Sequence, residues 1–114
     1  MGNNFQYNGS KDNDREDNMA ELKIICEYPD TLKKLIEEEV ARRLRSLEDG
    51  IRRTQERIKE FESKYQMSTE EFLRRYENDE IQETLEIDEW IGESLMLKGL
   101  QEDLATLRGI EFVN

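Results

Sequence analysis

Residues 40–65 read VARRLRSLEDGIRRTQERIKEFESKY, and the phasing of this stretch decides the fold. Val40, Leu44, Leu47, Ile51, Thr54, Ile58, Phe61 and Tyr65 recur in alternating steps of four and three, the seam of a coiled coil. Upstream, Leu32, Leu35 and Ile36 continue an apolar face less regularly, so the spacing predicts one helix over residues 31–65. Gly50 costs a helix roughly 1 kcal/mol relative to Ala. The heptad phase nevertheless runs through it unbroken, leaving a kink at Asp49-Gly50 as the lesser alternative. The acids and bases of this helix interleave and balance, as on a solvated surface laced with ion pairs.

On the N-terminal side, Leu22, Ile24, Cys26 and Tyr28 fall close to a period of two, which predicts a short half-buried strand over 22–28. Pro29 ends it, and Asp30 offers an N-cap for a helix starting at Thr31. Residues 1–18 are rich in Asn, Asp and Gly and have no repeating apolar position. Such a segment cannot bury enough surface to offset the entropy of ordering, so it reads as a disordered polar tail. Met19-Ala20 would also serve as an initiating dipeptide, which would make the tail an upstream extension. Residues 19–114 then form a single helical coiled-coil domain.

On the C-terminal side, Gln66 and Met67 form a turn. Ser68 with Glu71 makes a capping box, and Met67 with Phe72 a hydrophobic staple, so a second helix is expected over 69–77. A third runs over 85–108, beginning with Trp90 and Ile91, continuing with Leu97, Leu100, Leu104 and Leu107, and ending at Gly109. The expected fold is mainly all-α. The long helix folds back as a helical hairpin through a short connecting helix, with one short strand and a tail before it.

Lengths bear on assembly. At 1.5 Å per residue, a helix over 31–65 is about 50 Å long and one over 85–108 about 35 Å. The two cannot match end to end, and a lone strand leaves both its edges unpaired. A homodimer is the economical prediction, built on the seam Val40, Leu44, Leu47, Ile51, Ile58, Phe61 and Tyr65. A hetero-complex is the alternative.

The hydrophobic fraction is 35% and the charged fraction 39%, a balance suited to long amphipathic helices. The one cysteine, Cys26, cannot form an internal disulfide and reads as a small apolar strand residue, with no cationic cluster beside it to activate the thiol. No apolar run is long enough to span a bilayer, and no signal-peptide core is present, which predicts a cytoplasmic protein without membrane contact. There is no histidine, which removes imidazole-based nucleophile pairs and metal sites, and the scattered glycines form no phosphate loop. Glu86, Glu89 and Glu93 could share a helix face, as Mg²⁺-holding carboxylates do. Acids in the first turns of a helix are also favoured by its dipole, and that plainer account is preferred. No enzyme activity, metal or cofactor is expected.

Net charge is −11, distributed as −2 over residues 1–18, 0 over 19–66 and −9 over 67–114. The C-terminal part would repel a phosphate backbone and attract a basic protein surface. From Glu77 to Glu93 there are eight acids and no base, with Ile81, Leu85, Ile87, Trp90 and Ile91 interleaved. Such a run is either a solvated face or a partner-binding patch with apolar anchors inside a charged rim. In the second case Glu80, Glu83, Glu86, Ile87, Glu89 and Trp90 are the contact residues.

Three stretches carry a resemblance: ELKIICEYPDTLKKLIEEEV (21–40), FESKYQMSTEEFLRRYENDEI (61–81) and DEWIGESLMLKGLQEDLATL (88–107). Their order resembles small acidic antitoxin-like proteins of prokaryotic toxin–antitoxin pairs, mainly archaeal and cyanobacterial. The most specific part is KYQMSTEEFLRRYENDE, where such proteins have a Lys-Tyr-x-Met-Ser turn and a Glu-Phe pair. The chain departs from the pattern in its long polar tail and in Gln66, where a glycine is common. The resemblance implies a non-enzymatic protein that holds a toxin inactive through its acidic half. Nucleic acid would then be involved only through repression of its own operon. A coiled-coil scaffold is the alternative reading of the heptads. A ribbon-helix-helix DNA binder is a weaker third, with only Lys23 as a base in the strand and no turn a dozen residues into the helix.

Overall fold

The computed structural model describes residues 4–8 and 20–113. In chain order these form β1 (Asn4–Asn8), β2 (Glu21–Ile25), α1 (Pro29–Tyr65), α2 (Thr69–Glu77) and α3 (Leu85–Arg108). The fold is mainly helical, and α2 and α3 have the ranges that the sequence predicts. The chain divides into two units, residues 1–39 and 40–114, where the sequence reading places one domain from residue 19.

In the first unit, β1 and β2 pair antiparallel, with Asn4 opposite Ile25 and Asn8 opposite Glu21. This corrects the picture of a lone strand: β1 arises inside the polar tail and takes one edge of β2. The rest of the expected tail, residues 1–3 and 9–18, lies outside the described residues. Strand β2 is shorter than the expected 22–28, leaving Cys26 and Tyr28 beyond its end, and every one of its residues is exposed rather than half-buried. Helix α1 begins at Pro29, two residues early. The Leu32 amide donates to the Tyr28 carbonyl at 3.0 Å, which closes the first turn across the proline. Proline suits that position because a first-turn N–H has no helical partner to lose. Pro29 therefore opens the helix, while the strand has already ended at Ile25.

α1 runs unbroken through Gly50 to Tyr65. A ribbon-helix-helix arrangement would need a turn within this length, and none occurs. In the second unit, α1 and α3 pack antiparallel. Contacts pair Lys64 with Glu86, Phe61 with Trp90, Thr54 with Met96 and Glu48 with Arg108, so that residue numbers fall along one helix as they rise along the other. At Gly50 an added Cβ would stand 3.4 Å from a Leu100 methyl, so a small residue lets the helices approach closely there. The core is Phe61, Phe72, Ile87 and Trp90, ringed by Tyr65, Met67, Leu73, Tyr76, Ile81 and Ile91.

The helix ends explain how the hairpin turns. The Met67 amide returns to the Glu62 carbonyl, and Gln66 adopts a left-handed φ of 52°. The Ser68 side chain accepts from the Glu71 amide at 3.1 Å and starts α2 as its sequence signals. Asp79, with φ 57°, ends α2: its own amide reaches Tyr76, and that of Glu80 reaches Arg75, the paired bonds of a Schellman motif. The Thr84 hydroxyl then accepts from the Ile87 amide at 3.2 Å and starts α3.

Candidate protein-binding surface

Most of the predicted seam is occupied within the chain. Leu47, Ile58 and Phe61 are buried, and Val40, Leu44, Ile51 and Tyr65 are half-buried. α3 meets α1 from Glu48 to Lys64, so the part of this row from Leu47 to Tyr65 faces a helix of the same chain. A 4-3 repeat states that a helix face is apolar. It does not say whether the covering helix belongs to the same chain. Thr54, in the same row, is also buried, its hydroxyl 3.9 Å from the Met96 sulfur.

Trp90 and Ile87 are likewise not surface anchors. Trp90 is fully buried against an equally buried Phe72, their rings 3.8 Å apart and 3° from parallel. Phe61 and Tyr65 stack on it at 5.6 and 5.5 Å. The indole N–H donates to the Thr69 hydroxyl at 3.0 Å. Thr69 in turn donates to Glu62 through its hydroxyl and through its backbone N–H, both at 2.8 Å. One chain of hydrogen bonds therefore ties α3 to α2 and α2 to α1, and Trp90 sits where all three helices meet. Sequence reasoning gave Thr69 no role, because a threonine after an N-cap signals nothing about a tryptophan 21 residues on.

The acids separate into paired and unpaired groups. Glu86 is half-buried and receives Lys64 Nζ at 2.8 and 2.9 Å together with the Tyr65 hydroxyl. The hydrogen bond from Lys64, followed by that from Tyr65, holds the Glu86 carboxyl below its ordinary range, and Glu86 in turn raises Lys64 and Tyr65. This residue is a bolt between α1 and α3 more than a docking group. Glu89 stands 4.0 Å from Arg57, both about half exposed, a contact of little energetic weight.

Glu77, Asp79, Glu80, Glu83 and Asp88 are exposed and Glu93 is half-buried. None of the six forms an ion pair among the described residues. Hydrogen bonding with Asp88, followed by the charge of Asp88, pushes Glu83 above its ordinary value, and the Glu83 charge raises Tyr76 beside it. Glu80 lies close enough to Arg74 to raise it, but the acids outnumber the bases here and make a field that a basic partner would relieve.

The apolar groups near that field lie on a different side of α3 from the predicted ones. Leu85 is 78% exposed, Leu95 66% and Met96 55%. Among the described residues, no set of three or more acid or cysteine side chains is placed to hold a metal ion, and no helix is long and apolar enough to cross a membrane. No protein-family model, curated protein or solved structure matches this chain.

Proposed function

We propose that this chain is a non-enzymatic protein-binding module of the antitoxin-like kind, whose acidic C-terminal half occludes a basic surface on a protein toxin and holds it inactive. The observation that carries the reading is the run of Glu77, Asp79, Glu80, Glu83 and Asp88, exposed and without an ion pair among the described residues, on a unit whose core is fixed by Trp90. Charge sets the rate of encounter, and buried apolar contact sets the lifetime of the complex. Leu85 and Leu95, not Trp90, supply the apolar contact. The test uses the product of a small basic gene lying beside this one, co-expressed and purified as a complex. Replacing Glu80, Glu83 and Glu89 together by Gln should slow association and flatten its salt dependence. Leu95→Ser should speed dissociation without loss of helicity. A triple variant that associates like wild type across the salt range would sink the reading, as would a basic neighbour that never binds.

A second reading, a dimeric coiled-coil scaffold, is favoured by one observation. Among residues 20–39 none is buried, while Leu22, Ile24, Ile25, Tyr28 and Leu35 are all exposed. A strand and a helix start with no fully buried residue gain little from the hydrophobic effect alone. A gene context without a basic neighbour, together with a stable homodimer in solution, would select this reading over the first.

A further inference from the structure

Thr54 is 5% exposed and stands in the apolar row of α1, so its hydroxyl needs a partner inside the helix pair. Across the contact with α3 it finds the Met96 sulfur, to which it donates at 3.9 Å. No buried side-chain oxygen or nitrogen among the described residues is left without a partner. A thioether is a weak acceptor, and this one belongs to a surface residue: Met96 is 55% exposed, although it serves a buried hydroxyl. Met67, by contrast, is half-buried and packed against the core of Phe61, Phe72, Ile87 and Trp90. We propose that Met96 is a reversible oxidation site for peroxides, and that the Thr54 hydroxyl decides which of the two sulfoxide epimers forms there.

The reaction needs only the sulfur and a peroxide. A sulfur lone pair attacks one oxygen of hydrogen peroxide, the O–O bond breaks as the S–O bond forms, and the second oxygen leaves as water with both protons. The sulfur is oxidised by two electrons and the peroxide is reduced by two. A thioether sulfur carries two lone pairs, and oxygen placed on one or the other gives opposite epimers. The Thr54 hydroxyl engages one of them from the helix interface, which leaves the other to a peroxide arriving from water. A flexible methionine side chain without that bond would present both. The new oxygen then stands toward solvent, where it costs the packing of α1 on α3 little. At Met67 the same oxygen would enter the core. Two reductases, one per epimer, return methionine sulfoxide to methionine, so an epimer-enriched site is served mainly by one of them.

The experiment treats the full chain with hydrogen peroxide, stops the reaction at partial conversion, digests the protein and quantifies its methionine peptides by chromatography and mass spectrometry. Met96 should oxidise about tenfold faster than Met67, and one Met96 epimer should exceed the other roughly threefold, near the low end of what one hydrogen bond supports. The epimers are assigned by which reductase restores each peptide. Helical circular dichroism should be unchanged when Met96 is fully converted. In guanidinium chloride both differences should vanish. Thr54→Val, which fills the same space without a donor, should bring the epimers to equality, whereas Thr54→Ser should keep the excess. Equal oxidation of Met96 and Met67 in the folded protein, or helix lost on conversion of Met96, overturns the site. Equal epimers in wild type, or an excess that survives Thr54→Val, overturns the part given to Thr54.

Discussion

Trp90 and Glu89 are neighbours in sequence and opposites in space: one fully buried, the other exposed. A helix turns about 100° per residue, so an apolar residue embedded in an acidic run is rotated out of it by geometry alone. The Thr69 hydroxyl makes the buried indole acceptable, since it accepts the ring N–H while donating its own proton to Glu62. Removing the ring removes the centre of the core. Trp90→Ala should cost about 3–5 kcal/mol, a large part of what a small domain possesses, and should abolish cooperative unfolding or lower its midpoint steeply. Trp90→Phe and Thr69→Val each break the same hydrogen bond, but Thr69→Val strands a buried donor and should cost about 1–3 kcal/mol. The double variant should lose less than the sum of the two, because the second change removes an unpaired group that the first created. Strict additivity in urea titrations would mean that the indole–threonine bond does not form.

At the scale of elements, the ends were more legible than the partners. Ser68 and Gly109 mark their helices from sequence because a cap is a local interaction. The α1–α3 pairing is not local. α3 carries apolar residues on several sides, Leu85 and Leu95 outward and Ile87 and Trp90 inward, so its sequence does not announce which side meets α1. The heptads of α1 were therefore legible as a seam and illegible as an intramolecular one. Pro29 misled for a related reason: it stops a strand and suits a helix start equally well. β1 carries no signal beyond two aromatic residues in a polar stretch, and only its backbone pairing with β2 identifies it.

Gln66 is where a local preference was overruled. Its φ of 52° lies in the region that favours glycine, and its side-chain amide donates to the Ser63 carbonyl at 2.7 Å. A non-glycine residue in that conformation costs roughly 1–2 kcal/mol, partly offset by such a bond and by the lower chain entropy of a residue with a Cβ. Gln66→Gly should therefore stabilise the hairpin by about 0.5–1 kcal/mol and raise its thermal midpoint by a few degrees. An unchanged or lowered midpoint would mean that the side-chain bond outweighs the backbone strain.

On the scale of the whole molecule, acid should act on this protein in two opposite steps. Residues 67–114 carry a net charge of −9, and Glu83 in the α2–α3 loop is crowded by Asp88 in the first turn of α3. Glu83 has a raised value in the folded state. Its contribution to stability is complete below the ordinary glutamate value of about 4.3 and is lost as pH rises through the folded value. Glu71 is held low by Arg75 and Arg74, and Glu86 by Lys64 and Tyr65. Their contributions are complete above about 4.3 and are lost as pH falls through the folded values. Descending from pH 7, Glu83 takes up its proton first, the self-repulsion of the acidic half declines, and the thermal midpoint should rise. As pH falls further, through the lowered folded values of Glu86 and Glu71, both carboxylates take up protons and the midpoint should fall. Because Glu83 is exposed and Glu71 and Glu86 are only half-buried, each step should be small and should shrink with added salt. Melting curves followed by circular dichroism from pH 3 to 8 read both steps. Glu83→Gln should raise the midpoint at pH 7 and flatten the upper step, while Glu86→Gln should lower the midpoint at pH 7 and flatten the lower one. A midpoint that declines steadily from pH 7 downward, in wild type and Glu83→Gln alike, would show that the Glu83–Asp88 contact is not strained in solution.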